Sequence, residues 1–98
     1  MLTILETTRN LGNIPYNVPI TISFDVMNET DSPAIITSVS AGCGCTTPSM
    51  SINPIPPHST AQFNCVYNAN SMGSNHKSAS FTEEGENTVM VYFSANVV

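Results

Sequence analysis

The chain has 98 residues, a formal net charge of −5 and only 9% charged side chains, against about 25% in an ordinary soluble domain. Its 2 basic residues cannot make a phosphate-binding footprint, which excludes electrostatic attachment to nucleic acid and to anionic lipid surfaces. At 41% hydrophobic content the chain can bury one core, as a single domain over residues 1–98.

The opening, Met1-Leu2-Thr3-Ile4-Leu5-Glu6, lacks a basic segment, and its apolar run is broken by Thr3 and stopped by Glu6. It does not read as an export signal. The expectation is therefore synthesis in a cytoplasm, with cysteines that start reduced. No apolar run approaches the ~18 residues of a membrane span.

Short strands are expected at Leu2–Leu5 and Arg9–Ile14. Next, Ile20, Ile22, Phe24 and Val26 alternate with Thr21, Ser23, Asp25 and Met27, the period of a half-buried strand. A weaker strand fits Ala34–Val39, where Ile36 and Val39 have opposite parity; a bulge between them would turn both inward. The broken run Pro48, Pro54, Pro56, Pro57 suggests an extended crossover between sheets. Ala61, Phe63, Cys65 and Tyr67 mark another inward face. Lys77–Thr82 is a weaker strand, and Val89, Val91, Phe93, Ala95 and Val97 form the last inward face. Turn-forming residues stand between the strands, at Tyr16-Asn17, 28–33, 68–74 and 83–87. No window supports a helix. About seven short strands predict an all-β fold, a single immunoglobulin-like antiparallel β-sandwich. Without a Trp, the Cys…Trp…Cys core of antibody domains is absent.

Ser40-Ala41-Gly42-Cys43-Gly44-Cys45-Thr46-Thr47-Pro48 carries the most specific pattern. With its flanks it resembles a bacterial domain of unknown function built around a Cys-Gly-Cys-Thr motif, here Cys43, Gly44, Cys45 and Thr46. That domain is related to the immunoglobulin-like domains of ciliary Hydin-type proteins. The resemblance runs from Leu11-Gly12-Asn13-Ile14, through Phe24…Asn28, Ile36…Val39 and Ile55-Pro56-Pro57-His58, to Gly73…Lys77 and the final strand. It implies an immunoglobulin-like fold and no established catalysis. His58 stands where the family has Gly, so a positive φ there would carry strain. A leaderless single copy resembles the small immunoglobulin-like proteins of tailed bacteriophages.

Little in the chain is suited to chemistry. One close cysteine pair plus Cys65, with His58 or His76, falls short of the two spaced pairs of a structural zinc site. The favoured reading has all three cysteines reduced and non-catalytic, with Cys65 buried; the alternative is a disulfide from Cys65 to Cys43 or Cys45. Both histidines fall in polar, turn-like stretches. Asp25, Glu29 and Asp31, like Glu83, Glu84 and Glu86, match no calcium loop. Asn28-Glu29-Thr30 is a formal glycosylation sequon. No catalytic residue, metal or cofactor is expected.

The segment from Ser32 to His76 contains no Asp, Glu, Lys or Arg, which fits either a neutral polar surface or one that lies against another protein, since charge is depleted at interface centres. Met27, Met90 and Tyr92 are the candidate interaction residues, on outward faces of core strands. The expected function is a non-enzymatic structural protein in multiple copies. Its place would be a bacteriophage virion, as a capsid decoration protein bound to the major capsid protein or another virion protein. The alternative is a bacterial envelope or secreted binding module in the periplasm or outside the cell; a small metal-binding protein ranks third.

Overall fold

The computed structural model describes residues 2–86 and 88–98, and among these every regular element is a strand. The strands are β1 (Leu2–Ile4), β2 (Thr8–Ile14), β3 (Ile20–Asn28), β4 (Ile36–Ala41), β5 (Thr46–Met50), β6 (Ser59–Tyr67), β7 (Gly73–Glu83) and β8 (Thr88–Val97). One sheet has the order β1-β3-β6-β5 and the other β2-β8-β7-β4. With the first strand shared between the sheets, this is the strand order of a constant-type immunoglobulin sandwich. The strand not foreseen is β5, inside the stretch read as a crossover. Pairing is antiparallel except that β2 runs parallel to β8. Asn87, part of the expected turn at 83–87, lies outside the described residues.

The alternating faces meet as expected. Ile22, Phe24 and Val26 of β3 and Ala61, Phe63, Cys65 and Tyr67 of β6 are buried from one sheet. Ala79 and Phe81 of β7 and Val91, Phe93, Ala95 and Val97 of β8 are buried from the other. Two edge-to-face aromatic pairs bridge the layers: Phe63–Phe81 at 4.9 Å and Tyr67–Phe93 at 5.2 Å between centroids. Such pairs add to area burial because each ring edge meets the negative face of its partner. On the β1/β2 flank, the Arg9 guanidinium lies 4.8 Å from the Phe24 centroid and its Nε donates to Glu6 at 2.6 Å. One of the chain's two basic side chains is thus spent closing the core.

The β4–β7 register slips between Ile36 and Ser38, so Ile36 faces the same side as Val39, which pairs with Phe81. That is the bulge the parity clash demanded. Val39 is nevertheless 39% exposed, because β4 is an edge strand. In β2 the register shifts between Asn10 and Asn13, around Gly12 at φ 71°. His58 has φ 54° and follows Pro57, the order of a type II turn, so the strain expected of a non-Gly residue is present.

Asn28 is buried at the end of β3. Its Nδ2 reaches the carbonyl oxygens of Ser32 (2.8 Å), Ile55 (3.0 Å) and Pro56 (3.2 Å). Its Oδ1 accepts from the Thr30 amide (3.1 Å) and hydroxyl (2.7 Å). One side chain thereby ties the β3–β4 crossover to the β5–β6 connection. The same burial removes the sequon at Asn28 from any glycosylating enzyme acting on the folded chain.

Phe93→Ala is expected to destabilise by about 3–5 kcal/mol in urea unfolding, through lost burial and a cavity under Tyr67; a loss below about 1 kcal/mol would contradict the packing. Asn28→Asp places a carboxylate against three carbonyl oxygens and should cost about 3 kcal/mol or more at neutral pH. Burial and those carbonyls raise its folded pKa above the unfolded value of about 4. Its deficit relative to wild type should therefore shrink as pH falls through that raised pKa, since the protonated acid can donate.

Candidate functional site

Register and alternation settle what each outer face carries. On the β2-β8-β7-β4 sheet, Tyr92 pairs with Ser78 and Thr8, Ser94 with His76 and Asn10, Asn96 with Ser74, Met90 with Ser80, and Ser80 with Ser40. Those positions alternate with the buried Val91, Phe93, Ala79 and Phe81, so all look outward. None is Asp, Glu, Lys or Arg; the face consists of hydroxyls and amides around His76, Met90 and Tyr92. Tyr92 is 48% and Met90 44% exposed, and the Tyr92 hydroxyl lies 3.7 Å from the Met90 sulfur. Beside Tyr92 an open groove of about 430 Å³ is bounded by Thr8, His76, Lys77, Ser78 and Ser94, so one cationic residue lines it. His76 stands in strand β7 and helps form this groove, which corrects its placement in a turn.

Met27 does not join this patch. It pairs with Thr3 and Thr60 on the other sheet, half-buried on the opposite outer face. Parity tells which side of a strand a residue takes but not which sheet the strand joins. The sequence therefore could not separate Met27 from Met90 and Tyr92.

The acidic residues expected around the first turn also part company. Asp25 accepts from Gln62 Nε2 (3.3 Å), Glu29 accepts from the Thr3 hydroxyl (3.0 Å), and Asp31 meets His58 Nε2 (2.6 Å) on an exposed edge. Among the described residues no three His, Cys, Asp or Glu side chains converge on a point.

Cys43-Gly44-Cys45-Thr46 forms the crossover from β4 in one sheet to β5 in the other. The loop is held by backbone bonds: Gly42 donates to Ser78 O (3.0 Å), Thr46 to Cys43 O (3.3 Å) and Asn68 to Cys45 O (2.9 Å). Cys43 and Cys45 are joined in a disulfide, which corrects the expectation of three reduced thiols. Neither expected state of the cysteines, all reduced or Cys65 bonded to one of the pair, is the one found. Cys65 pairs with neither. It is free, fully buried in β6, and opposite Ile22 and Pro48.

The two packed sheets and their strand order define the class: an immunoglobulin-like β-sandwich domain. Within it, the chain belongs to the protein family of unknown function DUF1573, which matches residues 2–97. No curated protein matches the chain. Among solved structures, a Porphyromonas gingivalis W83 protein of unknown function is similar at a TM-score of 0.80 and 11% identity, over 97% of this chain and 46% of that one. The Vibrio cholerae VesB protease is similar at 0.74 and 12% identity, over 97% and 31%. Domains 4 and 5 of the S-layer protein SbsC follow at 0.60 and 16% identity, over 100% and 51%. The chain spans about half or less of each of these solved chains, and the likeness is one of fold.

Burial pushes the Cys65 thiol up from its ordinary 9.0 to about 11. In the unfolded chain the thiol ionises near 9, while the folded one keeps its proton until about 11, so stability falls as pH rises through that window. Tyr67, also raised by burial, acts in the same direction. Wild type should therefore lose about 2 kcal/mol more than Cys65→Ala between pH 8.5 and 11 in urea unfolding. Parallel pH profiles for the two proteins would contradict the burial.

Proposed function

We propose that the protein is a non-catalytic immunoglobulin-like interaction module that works in many copies on a larger protein assembly, docking through the outer face of the β2-β8-β7-β4 sheet. The assembly we favour is a bacteriophage particle, with the protein decorating its head. The observation that carries this reading is that face: four strands wide, with no formal charge at its outward-alternating positions and Lys77 alone at the groove wall, and centred on half-exposed Tyr92 and Met90. Charged side chains are depleted at interface centres, while Tyr and Met are enriched there. A face of hydroxyls and amides can also be desolvated without stranding an ion.

A second reading, a module of the bacterial envelope or a secreted protein, is favoured by the Cys43–Cys45 disulfide, since such bonds persist in oxidising compartments. The similar folds in a protease and an S-layer protein accord with it. Fractionation separates the two: sedimentation with particles supports the first, and recovery in periplasm or envelope supports the second.

A neutral interface predicts attachment that resists salt. Assemblies carrying the protein should retain it when NaCl rises from about 0.1 M to 1 M, a change that shortens the screening length from ~10 to ~3 Å. Tyr92→Asp should release it, while Val66→Asp on the opposite face should not. Release of wild type by moderate salt, or retention of Tyr92→Asp, would count against the docking face.

A further inference from the structure

We propose that the Cys43–Cys45 pair is a thiol–disulfide exchange site, reduced by a dithiol and reoxidised by a small-molecule or protein disulfide, which takes up the two electrons and is itself reduced to two thiols, without disturbing the fold. The first ground is what the bond fails to do. Joining residues two apart ties no strand to another and closes almost no loop of the unfolded chain, so it contributes little of the stabilisation for which structural disulfides are kept. The crossover already has its own hydrogen bonds: Gly42 to Ser78, Thr46 to Cys43 and Asn68 to Cys45.

The second ground is access. Both cysteines are half-buried in a surface loop, and the residue between them is Gly44, where an added Cβ would meet nothing within 4 Å. The loop residue between the two sulfurs therefore adds no side chain that would crowd an incoming thiolate. Cys45 packs against the core, leaving Cys43 as the sulfur that stands clearer of it.

The third ground is the provision for each thiolate. The Cys45 backbone N–H donates to Cys43 Sγ at 3.3 Å, and the Thr46 hydroxyl lies 3.9 Å from Cys45 Sγ. The loop sits inside the stretch from Ser32 to His76, which has no carboxylate. Hydrogen-bond donors without flanking anions favour the thiolate form that exchange requires.

One thiolate of the dithiol attacks Cys43 Sγ; the Cys43–Cys45 bond breaks, and its electron pair leaves on Cys45 Sγ, which takes a proton. The second thiolate of the dithiol then attacks the sulfur first supplied, breaking the mixed disulfide and releasing Cys43 as a thiolate beside the Cys45 N–H. The pair gains two electrons, and the dithiol becomes a disulfide. Cys65, sealed in the core, takes no part.

The test uses the full oxidised chain in native buffer with dithiothreitol as the dithiol, followed by alkylation and mass measurement. Cys43 and Cys45 should become labelled while Cys65 stays unlabelled, at least about a hundredfold slower. Circular dichroism and the thermal midpoint should stay at their oxidised values, and oxidised glutathione should restore the bond. The double variant C43S/C45S should fold as wild type does and show no exchange. Labelling of the loop pair only in step with Cys65, failure of oxidised glutathione to form the bond, or failure of the reduced or doubly substituted chain to fold would each overturn the proposal.

Discussion

The end of the sandwich that holds the Pro56-Pro57 turn hangs on one amide. Asn28 is the last residue of β3, and it occupies the inward position after Ile20, Ile22, Phe24 and Val26, all apolar. A polar side chain can stand there only if every one of its hydrogen-bonding groups is answered, since an unanswered buried amide costs several kcal/mol. The answers come from four residues in two connections: Thr30 and Ser32 in the crossover, and the carbonyls of Ile55 and Pro56 before β6. With these held, Ala34 and Ile55 form a backbone bridge, and Asn53 can pair with both the N–H and the C=O of Ile36, each at 2.9 Å. One buried amide sets the path of two connections, and through them the start of β4 and the approach to β6.

The strands that could be read from sequence were those in which both faces had distinct work. In β3, β6 and β8 every second residue enters the core and the others meet water, so the period of two is written into the residue types. Strand β5 has no such record. It lies at the edge of its sheet and carries Pro48, which lacks an N–H and is tolerated only where no partner asks for one. Proline content pointed to a loop, and tertiary pairing with β6 overrode it. The parallel pairing of β2 with β8 was equally hidden, because strand direction is a property of topology that local alternation does not encode.

The candidate face was legible in part for the same reason. Alternation put Met90 and Tyr92 outward and the charge count made their surroundings neutral, but only the register brought Ser78, His76 and Ser94 around Tyr92. His76 illustrates the limit. A histidine among Ser, Asn and Gly looks like part of a turn, and it becomes a groove residue only because β7 begins earlier than its apolar residues do.

The edges of the two sheets explain why a face, rather than a strand edge, is the stronger candidate for docking. An unpaired edge invites another chain to add a strand unless something interrupts it. Each of the four edge strands here carries an interruption. Strand β1 is only 3 residues long. Strand β2 is broken by the irregularity at Gly12, whose N–H is taken by Asn10 Oδ1 at 2.9 Å. Strand β4 has the slip before Ser38 and spends both backbone groups of Ile36 on Asn53. Strand β5 has Pro48. These devices leave backbone pairing a poor route to a partner, although the neutral segment from Ser32 to His76 runs along two of the edges. The unobstructed surface that remains is the one made by side chains, where Tyr92 and Met90 stand above a field of hydroxyls and amides. A partner that binds there must match hydrogen bonds and shape, because neither charge nor an open strand can hold it.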